Sequence, residues 1–247
     1  RVLPMLPEEL SNGICSLNEG EDRYTLSCVM RVDASGTVSD SRIERGIICS
    51  KNRMTYTKIA AILANDEQVC AEYAHLVPMC ADMRELANIL IKKRSARGSI
   101  DLDVKEAQIT VKDGAIDVCE YKRTMAHRII EEFMILANET VAEFIAAYEL
   151  PFVYRVHEKP SEEKAAGFKK YLEELGIRAK FHPDNVRPGE YGKILESLEG
   201  SDLFRVVNRV MLRSMSKARY SAENCGHFGL ASRCYCHFTS PIRRYPD

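Results

Sequence analysis

The chain has 247 residues, 45% of them hydrophobic, and its 36 acidic and 35 basic side chains leave a net charge of −1. That is enough apolar material for one large core or two modest ones, and it excludes a polycation that holds nucleic acid by bulk charge. No apolar run is long enough to span a membrane and no charged-then-apolar leader opens the sequence, so no membrane partner is expected. Nine cysteines without a paired spacing pattern point to a reducing, cytoplasmic setting rather than a disulfide frame.

Prolines 4 and 7 and glycines 13 and 20 predict irregular loop over residues 1–20. Tyr24, Leu26, Cys28, Met30 and Val32 alternate with more polar residues, the period of a half-buried strand. Asp33-Ala34-Ser35-Gly36 is a turn, and 37–49 returns as the second strand of a hairpin. A short helix with Ile59, Ile62 and Leu63 on one face follows, then a longer one over about 77–97. The basic run at its end, Lys92-Lys93-Arg94-Ser95-Ala96-Arg97, matches the helix dipole and reads as solvated, with Gly98 as the stop.

Residues 100–119 read as strands around a Lys112-Asp113-Gly114 turn, and the longest helix is expected over about 124–149. Its broad apolar face makes it central to the core, with Glu131, Asn138 and Ala142 together off that face. A strand at 152–156, a helix capped by Ser161 and ended by Gly176, a loop holding Pro183 and Pro188, and a helix at 190–199 follow. A further helix starts at Ser201-Asp202 and buries Leu203, Val206, Val207, Val210 and Met211; a strand at 230–236 closes the series. Hairpins interleaved with helices, without regular β-α-β alternation, favour an α+β fold.

The last eleven residues, HFTSPIRRYPD (237–247), form a candidate anion site. Ser240 before Pro241 is pushed toward extended backbone, and Ser-Pro can serve as a helix cap and first position that leaves N–H groups free. Only one of Arg243 and Arg244 can face such a site, where a guanidinium grips phosphate with two parallel bonds. Phe238 and Tyr245 could stack a base. Pro246 leaves two geometries open, a turn over 240–245 or a kinked helix. Spacing alone weighs a solvated Arg-Arg pair equally with a phosphate site.

Cys225, His227, Cys234, Cys236 and His237 cluster, but C-x-H and C-x-C are not zinc-knuckle spacings. Buried cysteines are expected there, and no metal site. Glu131 and Glu132 read by spacing as helix surface charge, and Tyr56 as a half-buried aromatic at a helix start.

HFTSPIRRYPD with the preceding HFGLASRCYC (227–236) closely resembles the signature of the ribonuclease II / ribonuclease R family of 3′-to-5′ exoribonucleases, on the ribonuclease R branch. IIEEFMILANE (129–139), RMTY (53–56), PMLP (4–7), LSNGICSL (10–17) and YRVHEKP (154–160) carry the resemblance along the whole chain. It implies that Arg243 holds the scissile phosphate, Glu131 approaches the sugar at the reacting 3′ end and Tyr56 lines the site. Arg243, Arg244, Tyr245 and Tyr56 would meet RNA. The family's stacking phenylalanine is replaced by aliphatic residues in 98–103.

The family's magnesium-binding Asp motif belongs upstream of Arg1, so 1–247 is expected to be an incomplete RNB-type catalytic domain, a piece of a larger protein that is inactive alone. The resemblance implies Mg2+, a single-stranded RNA 3′ end as substrate, and flanking cold-shock and S1 domains. The alternative is an RNA-binding or scaffold module that kept the fold without the chemistry.

Overall fold

The computed structural model describes residues 3–100, 107–112, 115–120 and 123–244. Three separate two-stranded antiparallel sheets are interleaved with seven α-helices among these residues, which is the α+β class expected.

The first hairpin joins β1 (Asp22–Val32) to β2 (Val38–Cys49). Its turn is built by Asp33, whose carboxylate accepts from the N–H groups of Ser35 and Thr37 at 2.8 and 2.9 Å. Only half of β1 follows the expected alternation. Cys28 packs inward with Ile43 of β2, whereas nearer the start the phase is reversed: Arg23, Thr25 and Ser27 are half-buried, and Tyr24 and Leu26 are exposed.

Thr55 caps α1 (Tyr56–Leu63), accepting from Lys58 N–H at 3.2 Å. A helix not foreseen, α2 (Glu67–Glu72), is capped by Asp66 in the same way. α3 (Val77–Arg97) buries Cys80, Ala87, Leu90 and Arg94 at helical spacing and stops at Gly98, where φ is +92°. The second hairpin, β3 (Ala107–Lys112) with β4 (Ala115–Glu120), lies where strands were expected.

α4 (Met125–Ala147) organises the rest. It meets α1 and α3. Its second half buries Val141 and Ala142 in a cluster with Tyr154, Val156, Cys234 and Cys236. β5 (Tyr154–Val156) pairs with β6 (Arg219–Ser221), a strand too short to show a period in the sequence. A larger core gathers α5 (Glu162–Glu174), α6 (Pro188–Ser197) and α7 (Leu203–Ser214) around Phe168, Leu172, Tyr191 and Met211.

Several expectations are corrected. Residues 1–20 are not all loop: Glu9–Ile14 forms a π-helical turn begun by N–H bonds from Leu10 and Ser11 to the Pro7 carbonyl. Pro188 lies inside α6 at its first position, where a missing N–H costs nothing. On α7, Val207 and Met211 are buried but Leu203 and Val206 are exposed.

Residues 230–236 are not a strand. Cys234, Tyr235 and Cys236 are buried consecutively rather than alternately, and side chains take backbone bonds that a partner strand would supply. Ser232 Oγ donates to the Cys234 carbonyl at 2.9 Å, for example. The basic end of α3 is not solvated either. Arg94 is buried against Glu132, Arg97 pairs with Glu139 at 2.6 Å, and Lys93 donates to the Gly36 carbonyl at 2.9 Å.

Candidate active site along one helix

His127, Glu131 and Asn138 share one stripe of α4, because steps of four and seven residues at about 100° each keep them within about 40°. The stripe rises about 16 Å from His127 to Asn138 at about 1.5 Å per residue.

At its start the Tyr56 ring stacks on His127, with centroids 3.9 Å apart and planes 25° apart. His127 is itself fixed, since Nδ1 accepts from the Thr124 N–H at 3.1 Å and lies 2.8 Å from the Thr124 hydroxyl. The tyrosine remains 45% exposed, so one side rests on a fixed platform while solvent reaches the rest. One turn along, Glu131 is half-exposed and forms an ion pair with Arg123, which precedes the helix. Its neighbour Glu132 points elsewhere, into the buried pair with Arg94, which separates two carboxylates that look equivalent in sequence.

At the far end Asn138 is 1% exposed. Its Oδ1 accepts from Phe238 N–H at 2.9 Å, Thr239 N–H at 3.0 Å and Thr239 Oγ1 at 3.2 Å. Its Nδ2 donates to the Tyr235 hydroxyl at 3.0 Å. Two backbone N–H groups facing one atom identify it as the amide oxygen. Burial is the first cause that pushes the Tyr235 phenol above its usual range, with the Asn138 bond opposing.

Ser240 then turns left-handed (φ 60°, ψ 48°) and makes no capping bond, which corrects the extended N-cap expected before Pro241. With 238–239 tied to Asn138, the chain must reverse at once, and Pro241–Arg243 forms a single 3-10 turn. Arg244 is extended, so the turn prevails over a helix opening at Pro241. Arg243 is exposed, while Arg244 is partly buried and close enough to Tyr235 to act on its phenol. The two arginines thus differ in exposure, Arg243 being the more open to solvent.

The 3-10 turn lies against the π-helical turn Glu9–Ile14. Phe238 packs against the Val141–Cys236 cluster, which corrects its role as an open stacking face. Tyr245, Pro246 and residues 101–103 of the aliphatic replacement lie outside the described residues, while Ile100 is buried in the larger core.

No hydrogen bond or ion pair joins Tyr56, Glu131 and Arg243 among the described residues; each is tied to α4 separately, Tyr56 through His127 and the Arg243 turn through Asn138. Arg123, His127 and Asn138 were missed as site residues. Asn138 was visible as an off-face polar residue in the long helix, but its partners lie about 100 positions away.

Among the described residues, no group of three or more His, Cys, Asp or Glu side chains is placed to hold a metal ion. Glu131 and Glu132 are each engaged by an arginine, so the carboxylates at hand do not fit a magnesium centre. Cys234 and Cys236 are core residues, and Cys225 is exposed. Burial, reinforced by Glu143 and Glu139, pushes the Cys234 thiol up to about 11.

The class of protein is shown by sequence: the chain belongs to the RNB domain family, whose pattern matches residues 1–247. It is similar to ribonuclease R of Thermotoga maritima, at 47% identity over 100% of this chain and 35% of that protein. It also resembles the structure of Mycoplasma genitalium RNase R in complex with ribose methylated single-stranded RNA. That match has TM-score 0.86 and 32% identity, over 98% of this chain and 38% of the other. Yeast Ssd1, described as a pseudonuclease, shares the fold at TM-score 0.73 and 20% identity, over 100% of this chain and 30% of the other. The chain thus spans about a third of the length of the relatives it matches.

Proposed function

We propose that this chain is the catalytic-domain portion of a ribonuclease R-like, processive 3′-to-5′ exoribonuclease that releases nucleoside 5′-monophosphates from single-stranded RNA. The observation that supports the proposal is that α4 engages all three regions: its His127 stacks on Tyr56, its Glu131 is half-exposed, and its Asn138 bonds Phe238 and Thr239 just before the turn that bears Arg243. A strand bound beside α4 would be offered an aromatic face by Tyr56, a carboxylate for ribose hydroxyls by Glu131 and an exposed guanidinium for phosphate by Arg243. Arg243 supplies fixed positive charge where negative charge builds on the phosphate in the transition state. Glu131, restrained by Arg123, accepts from the terminal sugar, and Tyr56 borders the site.

The magnesium ions that the family resemblance implies would be held by carboxylates outside the described residues. The cold-shock and S1 domains expected to flank this one would supply further RNA contacts. A cytoplasmic location accords with nine cysteines and no disulfide.

A second reading, an RNA-binding module without chemistry, has one observation in its favour: the Glu131 carboxylate is already occupied by Arg123. The test is incubation of the full-length protein with single-stranded RNA labelled at the 5′ or the 3′ end. Immediate release of labelled mononucleotide from the 3′ label alone supports the enzyme. RNA binding without any release supports the module.

A further inference from the structure

We propose that Asn138 is a positioning residue for this reaction: its buried carboxamide fixes Phe238 and Thr239, and through them aims Arg243 relative to Glu131 on the same helix. The proposal rests on Arg243 being the phosphate ligand, as inferred above.

Arg243 is exposed and its side chain makes no hydrogen bond or ion pair among the described residues, so its backbone decides where its guanidinium starts from. That backbone has little freedom. Arg243 N–H bonds to the Ser240 carbonyl at 3.4 Å and Arg244 N–H to the Pro241 carbonyl at 3.1 Å. Pro241 fixes its own φ. Ser240 occupies a left-handed conformation that only glycine adopts without strain, and such a conformation persists where its surroundings over-determine it. The surroundings here are Asn138. Three donors from two consecutive residues converge on Oδ1, and Nδ2 holds Tyr235 on the other side. The Asn138 carbonyl also accepts from Cys236 Sγ at 3.2 Å.

A buried asparagine can serve the core alone. This one differs in where its bonds go. They end immediately before the strained residue and the turn that carries Arg243, and they start seven residues from Glu131 on the same stripe. One side chain therefore sets the spacing between the sugar-side carboxylate and the phosphate-side guanidinium. Displacing a reacting partner by about 1 Å can cost about a hundredfold in rate.

The test is a double-mutant cycle in the full-length protein, reading single-turnover cleavage per folded molecule, RNA affinity and thermal midpoint. Arg243→Ala establishes the phosphate contact. Asn138→Ala is expected to slow cleavage by about ten- to a hundredfold while RNA affinity changes less than about twofold. In the Arg243→Ala background the same change should cost less than about threefold, because no guanidinium remains to be aimed.

Full multiplicative loss in that background, or a lowered thermal midpoint with unchanged cleavage per folded molecule, overturns the positioning role alone. Wild-type cleavage by Arg243→Ala overturns the phosphate reading and this proposal with it. If Asn138→Ala does not yield folded protein, Thr239→Val removes one of the three bonds, keeps the buried amide and carries the same cycle. A Thr239→Val loss that persists undiminished without Arg243 overturns the proposal, and a loss that vanishes there supports it.

Discussion

Arg94 and Glu132 face each other in the interior through three hydrogen bonds. Arg94 Nη2 lies 2.7 Å from Oε1, and Nε lies 3.1 and 3.2 Å from the two carboxylate oxygens. Neither residue is more than 8% exposed. Arg94 Nη1 continues to Ser99 Oγ at 2.8 Å, and Ser99 bonds onward to the Gly229 carbonyl at 3.3 Å. The end of α3, the middle of α4 and the approach to the signature turn are thus joined by one charged pair.

Breaking that pair leaves an uncompensated charge in a dry site. Glu132→Ala should destabilise the fold by about 3–5 kcal/mol, read by chemical denaturation. Replacing both partners with apolar side chains of similar volume, Arg94→Met with Glu132→Leu, should cost clearly less than either single change. A double variant as unstable as Glu132→Ala would show that the guanidinium bonds, rather than an orphaned charge, set the cost.

Much of this was legible in the sequence. Residues 77–97 were bounded as found because Gly98 marks the stop, and Thr124 marked the start of α4. Ser161 marked α5, and its Oγ accepts from Lys164 N–H at 3.4 Å. These are local signals, carried by residues within one turn of the boundary they set. The failures share the opposite property. Ser240 obeys Asn138, more than 100 positions away, instead of its neighbour Pro241. Arg94 reads as a solvated helix end until α4 brings Glu132 against it. Tyr24 and Leu26 carry a strand period, but the period cannot say which face of the hairpin is covered, and there it is the face of Arg23, Thr25 and Ser27. For the site, helical spacing placed Glu131 and Asn138 on one side of α4; the ribose and phosphate roles came from the family resemblance.

The neighbouring imidazoles of His157 and His227 should make the fold acid-sensitive. Their rings are 5.1 Å apart. Burial, then repulsion from His157 and Arg155, hold His227 down at about 3. Burial likewise lowers His157, opposed by its bond to the Ser216 carbonyl. The unfolded chain takes up protons near the ordinary histidine value of about 6.5 while folded His227 stays neutral. Stability is therefore full above about 6.5 and falls steadily as pH drops toward 3. His227→Asn, which keeps an acceptor near the Leu230 N–H, should flatten that slope in denaturation curves between pH 7 and about 5. An unchanged slope would remove His227 as the cause.

Cys234 should resist alkylation in the folded protein, because a buried thiol held up at about 11 offers almost no thiolate at neutral pH. Cys15, Cys119 and Cys225, all exposed, should react before it. Mass spectrometry after brief iodoacetamide treatment, with and without denaturant, distinguishes them. Elemental analysis of protein purified without chelator should find no stoichiometric zinc. Near-stoichiometric zinc would overturn the assignment of these cysteines to the core.

Arg243 carries the last prediction, again in the full-length protein. Its guanidinium is exposed on the 3-10 turn, whereas Arg244 is partly buried beside Tyr235. Arg243→Lys keeps the charge but loses the planar fork that binds phosphate through two bonds. Raising the barrier by about 2–4 kcal/mol is the scale for losing one such electrostatic donor. Affinity should barely change, since upstream phosphates and other domains would hold most of the RNA, so the loss belongs in turnover. Arg244→Lys is the contrast: its site lies inward, so it should lower thermal stability more than cleavage. Single-turnover cleavage, RNA binding and melting of both variants decide between them. Equal cleavage by the two variants, or loss of binding in step with rate for Arg243→Lys, would mean that Arg243 is not the phosphate clamp.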